Sequence, residues 1–91
     1  MITQDTIDEL TYTIGKIFND YIAGEYPWIT FESIQPMEPD IVALHFSSSD
    51  PSKGAVRILM DEDDYSDFLY NTYDPEYLAY RLSSALCLDQ W

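Results

Sequence analysis

Apolar residues recur every three or four positions between residues 4 and 23, and this spacing predicts an amphipathic first helix. Thr3 is placed to cap its first turn, although Thr6 to Glu9 also has the form of a capping box. Gly24 is placed to end the helix in the left-handed conformation. The predicted buried stripe consists of Ile7, Leu10, Ile14, Ile17, Phe18, Tyr21 and Ile22. The opposite, mostly negative face consists of Asp5, Asp8, Glu9, Tyr12, Lys16 and Asp20.

Three segments with alternating apolar residues follow, and they predict β-strands over residues 28–34, 40–47 and 54–60. Residues 48–53 have the composition of a hairpin loop. Pairing Phe46 with Val56 brings Leu44 against Ile58 and makes one face of the sheet continuously apolar, so we expect this register. It also brings His45 against Arg57 on the other face. The residues predicted to point to the core are Ile29, Phe31, Val42, Leu44, Phe46, Val56, Ile58 and Met60.

The last third of the chain predicts two helices. Asp61 can cap a short helix of about residues 62–70, whose apolar side consists of Tyr65, Phe68 and Leu69. After a break at residues 71–73, Asp74, Pro75 and Glu76 form a typical helix start. The second helix has a predicted buried stripe of Leu78, Leu82, Ala85 and Leu86, with Tyr80, Cys87 and Trp91 on its other side.

The order of elements is therefore α-β-β-β-α-α. A three-stranded antiparallel sheet must cover its apolar face, and the first and last helices can do so. We expect a two-layer α+β fold in a single domain spanning residues 1–91, because 91 residues are too few for two domains.

The charge of the chain limits its partners. Seventeen Asp and Glu residues against four Lys and Arg give a formal net charge of −13, while 46% of the residues are apolar, which argues against disorder. Such a surface repels nucleic acids and anionic lipids, so we expect no direct contact with either. The single cysteine, the absence of a basic and apolar leader at residues 1–5, and the lack of a long apolar run favour a cytoplasmic protein.

No residue pattern predicts catalysis, a metal or a cofactor. Counted from Asp61 as a calcium-binding loop, the sixth position is Ser66 instead of Gly and the twelfth is Thr72 instead of Glu. His45 and Cys87 are the only soft ligands and belong to different elements. The glycines are isolated, so no phosphate-binding loop is predicted. We therefore expect a protein that is not an enzyme.

The unusual feature is a run of acids interleaved with tyrosines over residues 61–76, which contains seven acids and no base. One interpretation is a solvated acidic face whose half-buried tyrosines fill the gap between two short helices. The other is a surface that presents carboxylates to a basic groove, because acids one helical turn apart are about 5.4 Å apart, the same order as neighbouring phosphates. The predicted partner-binding residues are Asp61, Glu62, Asp63, Asp64, Tyr65, Asp67, Tyr70, Tyr73, Asp74 and Glu76.

In its size, charge, element order and acidic run at Asp61 to Asp67 with Tyr65 and Tyr70, the chain resembles the small phage-encoded inhibitors that act as DNA mimics. These include anti-CRISPR and anti-restriction proteins. The resemblance implies a non-enzymatic inhibitor in the cytoplasm of a bacterial host. Its acids would occupy the site of a Cas effector or restriction nuclease that reads a protospacer-adjacent motif or the DNA backbone. The high Tyr and Trp content departs from this class and also fits an ordinary protein–protein interface.

Three other binding functions use similar features. An immunity protein that neutralises a basic toxin would rely on the same electrostatics. An acidic secretion chaperone would be an obligate dimer, which sizing chromatography would detect. An accessory subunit of an enzyme would bind through Trp28, Trp91 and the tyrosines. The sequence does not decide between a monomer and a dimer.

Overall fold

A computed structural model describes residues 2–50 and 52–87 of the chain. Its elements follow the predicted order and form an α+β fold with an open three-stranded antiparallel sheet. The helices are α1 (Gln4–Ile17), followed directly by a π-helical segment (Phe18–Ile22), then α2 (Glu62–Tyr65), α3 (Asp67–Tyr70) and α4 (Pro75–Leu86). The strands are β1 (Ile29–Met37), β2 (Ile41–Ser48) and β3 (Val56–Met60). The prediction for Trp91 lies outside the described residues.

The first helix begins as predicted and ends differently. The Thr3 side chain accepts a hydrogen bond from the backbone N–H of Thr6, which confirms Thr3 as the N-cap. The π-helical segment then widens the last turns, and this rotates Tyr21 out of the buried stripe while Phe18 and Ile22 stay in the core. The prediction for Gly24 was wrong. The cap is Ala23 in the right-handed region, and Gly24 does not adopt a positive φ.

The sheet has the predicted register between β2 and β3, with Phe46 opposite Val56, Leu44 opposite Ile58 and His45 opposite Arg57. β1 pairs with β2 as well, but a bulge lies between Phe31 and Ser33. Because a bulge inserts one residue, it changes which side chains point inward. Ile29 and Ile34, which an unbroken alternation would place on opposite faces, are therefore both buried.

The predicted strand ends shift by up to three residues. β1 continues to Met37 through Pro36, which an edge strand tolerates because its N–H need not join a ladder. β3 begins at Val56, two residues later than predicted, after Gly54, whose φ of 73° favours glycine.

The predicted helix of residues 62–70 consists of two single turns separated by Ser66. Asp61 caps the first through a 3.1 Å bond from the N–H of Asp64, and Asp74 caps α4 through a 3.2 Å bond from the N–H of Tyr77. Both caps confirm the sequence prediction. In α4 the buried small residue is Ala79, whereas Ala85 is exposed, so the prediction for Ala85 was wrong.

The core lies between the helices and one face of the sheet. Phe46 on β2 contacts Phe18 and Phe31 at ring-centroid distances of 5.6 and 5.3 Å. Apolar side chains from α1, α3 and α4 complete the cluster, and this face of the sheet is called the inner face. No helix among the described residues is long and apolar enough to cross a membrane.

Candidate protein-binding surface

The acidic run begins where β3 ends. Glu62 and Asp63 project from the first turn after the Asp61 cap, and both are exposed. Within residues 2–50 and 52–87, neither carboxylate has an ion-pair partner. These two side chains therefore present uncompensated negative charge to solvent.

Asp40, in the β1–β2 turn, adds to this group. It lines an open cleft of about 440 Å³ together with Asp61, Glu62 and Asp63, and this set of four carboxylates is called the acidic cleft. The sequence interpretation missed Asp40, although the predicted register could have found it. Val42 lies opposite Met60, and continuing that pairing by two residues brings Asp40 level with Glu62.

Two of the seven acids are compensated by a base that the run itself does not contain. Arg81 on α4 pairs with Asp64, at 3.1 Å between Nη2 and Oδ1, and with Asp67 through Nη1. Asp67 also accepts a 2.7 Å hydrogen bond from Asn71. These bonds hold α2 and α3 against α4. Asp64 and Asp67 were predicted as binding residues, but both carboxylates stabilise the fold through Arg81. A partner could contact only the parts of these side chains that stay exposed.

Tyr65 belongs to the core and not to the surface. Its side chain is only 6% exposed, so its assignment to the partner-binding set was wrong. The reason is helical spacing, because the turn that exposes Glu62 and Asp63 directs Tyr65 and Phe68 inward. Burial raises the pKa of the Tyr65 phenol, and the nearby Glu62, Asp40 and Tyr70 raise it further.

Four other tyrosines are unusually exposed. The exposed fractions are 77% for Tyr70, 85% for Tyr73, 51% for Tyr77 and 69% for Tyr80, and this set is called the tyrosine stripe. Tyr77 and Tyr80 were not in the predicted set. The buried positions Leu78 and Leu82 on α4 could have identified them, because they leave Tyr77 and Tyr80 on the solvent side.

The acidic run and the tyrosine stripe are adjacent. The Arg81 guanidinium, which binds Asp64 and Asp67, also lies 5.9 Å from the ring centre of Tyr77. Glu62 and Tyr70 line the same small cleft of about 220 Å³. Asp74 and Glu76 are exposed at the start of α4, between Tyr73 and Tyr77. Carboxylates and phenol rings therefore alternate across α2, α3 and α4.

A groove of about 480 Å³ lies on the α1 side of this surface. Tyr12, Tyr21 and the turn residues Thr72 and Pro75 line it, together with Leu69. Glu9, Lys16 and Asp20 also line it, so the predicted polar face of α1 is next to the α3–α4 turn. The α1 face is thus the alternative binding surface if the acidic cleft is only solvated.

The acids do not gather into a metal site. In the part of the chain that the structure describes, no group of three or more His, Cys, Asp and Glu side chains could hold a metal ion. Successive acids on a helical turn diverge, and Arg81 already binds two of them. His45 lies on the sheet and Cys87 at the end of α4. The chemistry of this surface is therefore that of charge and aromatic contact.

No protein-family model matches the chain, and no curated protein or solved structure is significantly similar to it. The chemistry of the surface and its position in the fold are therefore the basis for assigning a function.

Proposed function

We propose that this protein is a non-enzymatic inhibitor that mimics nucleic acid and blocks the basic DNA- or RNA-binding channel of a partner, such as a CRISPR–Cas effector or a restriction nuclease, in the bacterial cytoplasm. The observation that carries the proposal is the acidic cleft, whose Glu62 and Asp63 are exposed and have no cation partner among the described residues. Charge that serves only solubility could be spread over any face of the protein. In this protein, the acids of residues 61–76 are instead close to the exposed rings of the tyrosine stripe.

The electrostatics favour a basic partner. Residues 61–87 contain seven acids and one base, and that base is already paired with Asp64 and Asp67. A basic channel that evolved to bind phosphates offers closely spaced Lys and Arg side chains, which carboxylates at similar spacing can pair with. The partner's own nucleic acid would then be excluded, because both ligands need the same cations.

The tyrosine stripe supplies what charge alone does not. Carboxylate pairs give fast, salt-sensitive association, whereas buried tyrosine rings add contact area and hydrogen-bonding hydroxyls at low entropic cost. Tyr70 and Tyr73 are the most exposed of the four, so they can lose the most water-accessible area on binding. The rings would also stack on Arg side chains of the channel.

The proposal predicts protection in cells. Bacteria that carry a CRISPR–Cas or restriction system aimed at a phage should plate that phage poorly, and expression of this protein should restore plating against the system that it inhibits. The Glu62→Lys/Asp63→Lys variant should lose that protection, because it reverses the charge of the acidic cleft. Both positions are exposed, so thermal unfolding should change little.

The matched control is Asp5→Lys/Asp8→Lys on α1, which makes the same change of charge at exposed positions. It should protect as well as the natural sequence. Loss of protection in this control alone would place the binding surface on α1. Failure to protect against any nuclease system tested, or full protection by the Glu62→Lys/Asp63→Lys variant, would contradict the proposal.

A further inference from the structure

The face of the sheet opposite the core is called the outer face, and it remains at the surface. Thr30, Ser33 and Gln35 on β1 and Arg57 and Leu59 on β3 are exposed there. Leu59 is 52% exposed, and Met37 at the end of β1 is also exposed. The face therefore combines apolar and polar side chains and is not a purely solvated surface.

One row across this face carries opposite charges at its two edges. Ser33 lies opposite His45, and His45 lies opposite Arg57. Glu32 is the bulge residue next to Ser33, and its carboxylate accepts a hydrogen bond from the Ser47 hydroxyl. Because Ser47 alternates with the buried Phe46, this bond places the Glu32 carboxylate on the outer face. From the β1 edge to the β3 edge, the row therefore contains the negative Glu32, then His45, then the positive Arg57.

We propose that this outer face binds a second copy of the chain. A two-fold axis parallel to the strands and passing over β2 brings the β1 edge of one copy over the β3 edge of the other. Glu32 then meets Arg57 of the second copy, and Arg57 meets Glu32 of the second copy. The row is complementary to itself under this rotation, which is the requirement for a closed two-fold dimer.

Apolar side chains on this face also favour a covered state. Leu59 and Met37 would lose exposed apolar area in the same contact.

The distribution of charge selects this face among the surfaces of the chain. Two copies with a net charge of −13 each repel one another, so a contact between them should bring few acids together without a base. Residues 52–60 contain Lys53 and Arg57 and no acid. Docking through the outer face leaves the helices that cover the inner face on opposite sides of the dimer.

The size of the face predicts a weak dimer. The strands contain nine, eight and five residues, so a rise of about 3.3 Å per residue and a spacing of about 4.8 Å give a footprint of roughly 350 Å² on each copy. That is smaller than the interfaces of stable dimers, so the dimer should be transient, with a Kd in the high micromolar range. The dimer depends on the sheet alone and would form whether or not the acidic cleft binds a nuclease.

The test is sedimentation equilibrium over a wide concentration range with the natural sequence, two variants and a mixture of the two variants. Glu32→Arg and Arg57→Glu, each alone, bring like charges together at both pairs and should weaken dimerisation about tenfold or more. An equimolar mixture of the two variants restores both opposite-charge pairs, so it should form a mixed dimer with close to the original affinity. Both residues are exposed, and circular dichroism would verify that the variants fold.

Glu25→Arg and Lys16→Glu are the matched controls, because they make the same charge changes at exposed positions outside the sheet. These controls should change the Kd of the dimer by less than about threefold, because neither position faces a charge across the proposed contact. A natural sequence that stays monomeric at millimolar concentration would overturn the proposal. So would a mixture of the two variants that dimerises no better than either variant alone.

Discussion

At the scale of single residues, neighbouring acids of one run have different roles. Asp61 caps α2, Asp64 and Asp67 bind Arg81, and Glu62 and Asp63 are left exposed. The sequence predicted the cap because a cap depends on the next few residues only. It did not predict the ion pairs, because Arg81 is 14 residues away from Asp67 and reaches it only through the packing of α4.

Tyr65 gives a pH-dependent prediction at this scale. The fold raises the pKa of its phenol, so the neutral phenol is favoured in the folded state. This contribution to stability is fully present below the ordinary tyrosine pKa of about 10 and is lost as pH rises through the raised value. Urea unfolding should show that the natural sequence loses stability between pH 8 and pH 11, and that the Tyr65→Phe variant loses less. An equal loss in the two proteins would contradict a raised pKa of Tyr65.

At the scale of elements, the strand register was predictable because it depends on alternation. Leu44 and Ile58 are buried opposite each other, as the apolar pattern required. The π-helical segment and the bulge at Glu32 were not predictable, since each changes the period of a pattern locally. Only one feature of the sequence is consistent with the bulge. Ile29 and Ile34 are an odd number of positions apart, so both can be buried only if the alternation is interrupted.

Alanine substitutions in β3 and β2 should follow this register. Leu44→Ala and Ile58→Ala should each lower the free energy of unfolding by about 2–5 kcal/mol, because both leave a cavity in the core. Leu59→Ala is the matched control on the outer face and should cost less than about 1 kcal/mol in the monomer. Denaturant unfolding at low protein concentration would measure all three. A larger cost at Leu59 than at Ile58 would contradict the register.

At the scale of the whole molecule, the helix layer and the sheet present surfaces of different charge. The helix layer carries the acidic cleft and the tyrosine stripe, while the outer face of the sheet carries Arg57 and few acids. The sequence predicted the excess of acids and the run that holds them. It could not predict which tyrosines are exposed, because that depends on how α2, α3 and α4 pack against α1 and the sheet.

If this protein and nucleic acid compete for one channel of the partner, their binding is mutually exclusive, and this exclusion can be measured. The nuclease or effector identified by plating is immobilised, either free or preloaded with a target that it cannot cleave, and binding of this protein is measured by biolayer interferometry at two salt concentrations. We expect binding to the free partner that weakens steeply with salt, and no binding to the preloaded partner. A ternary complex of partner, nucleic acid and this protein, formed with the same affinity as the binary one, would contradict competition for one channel.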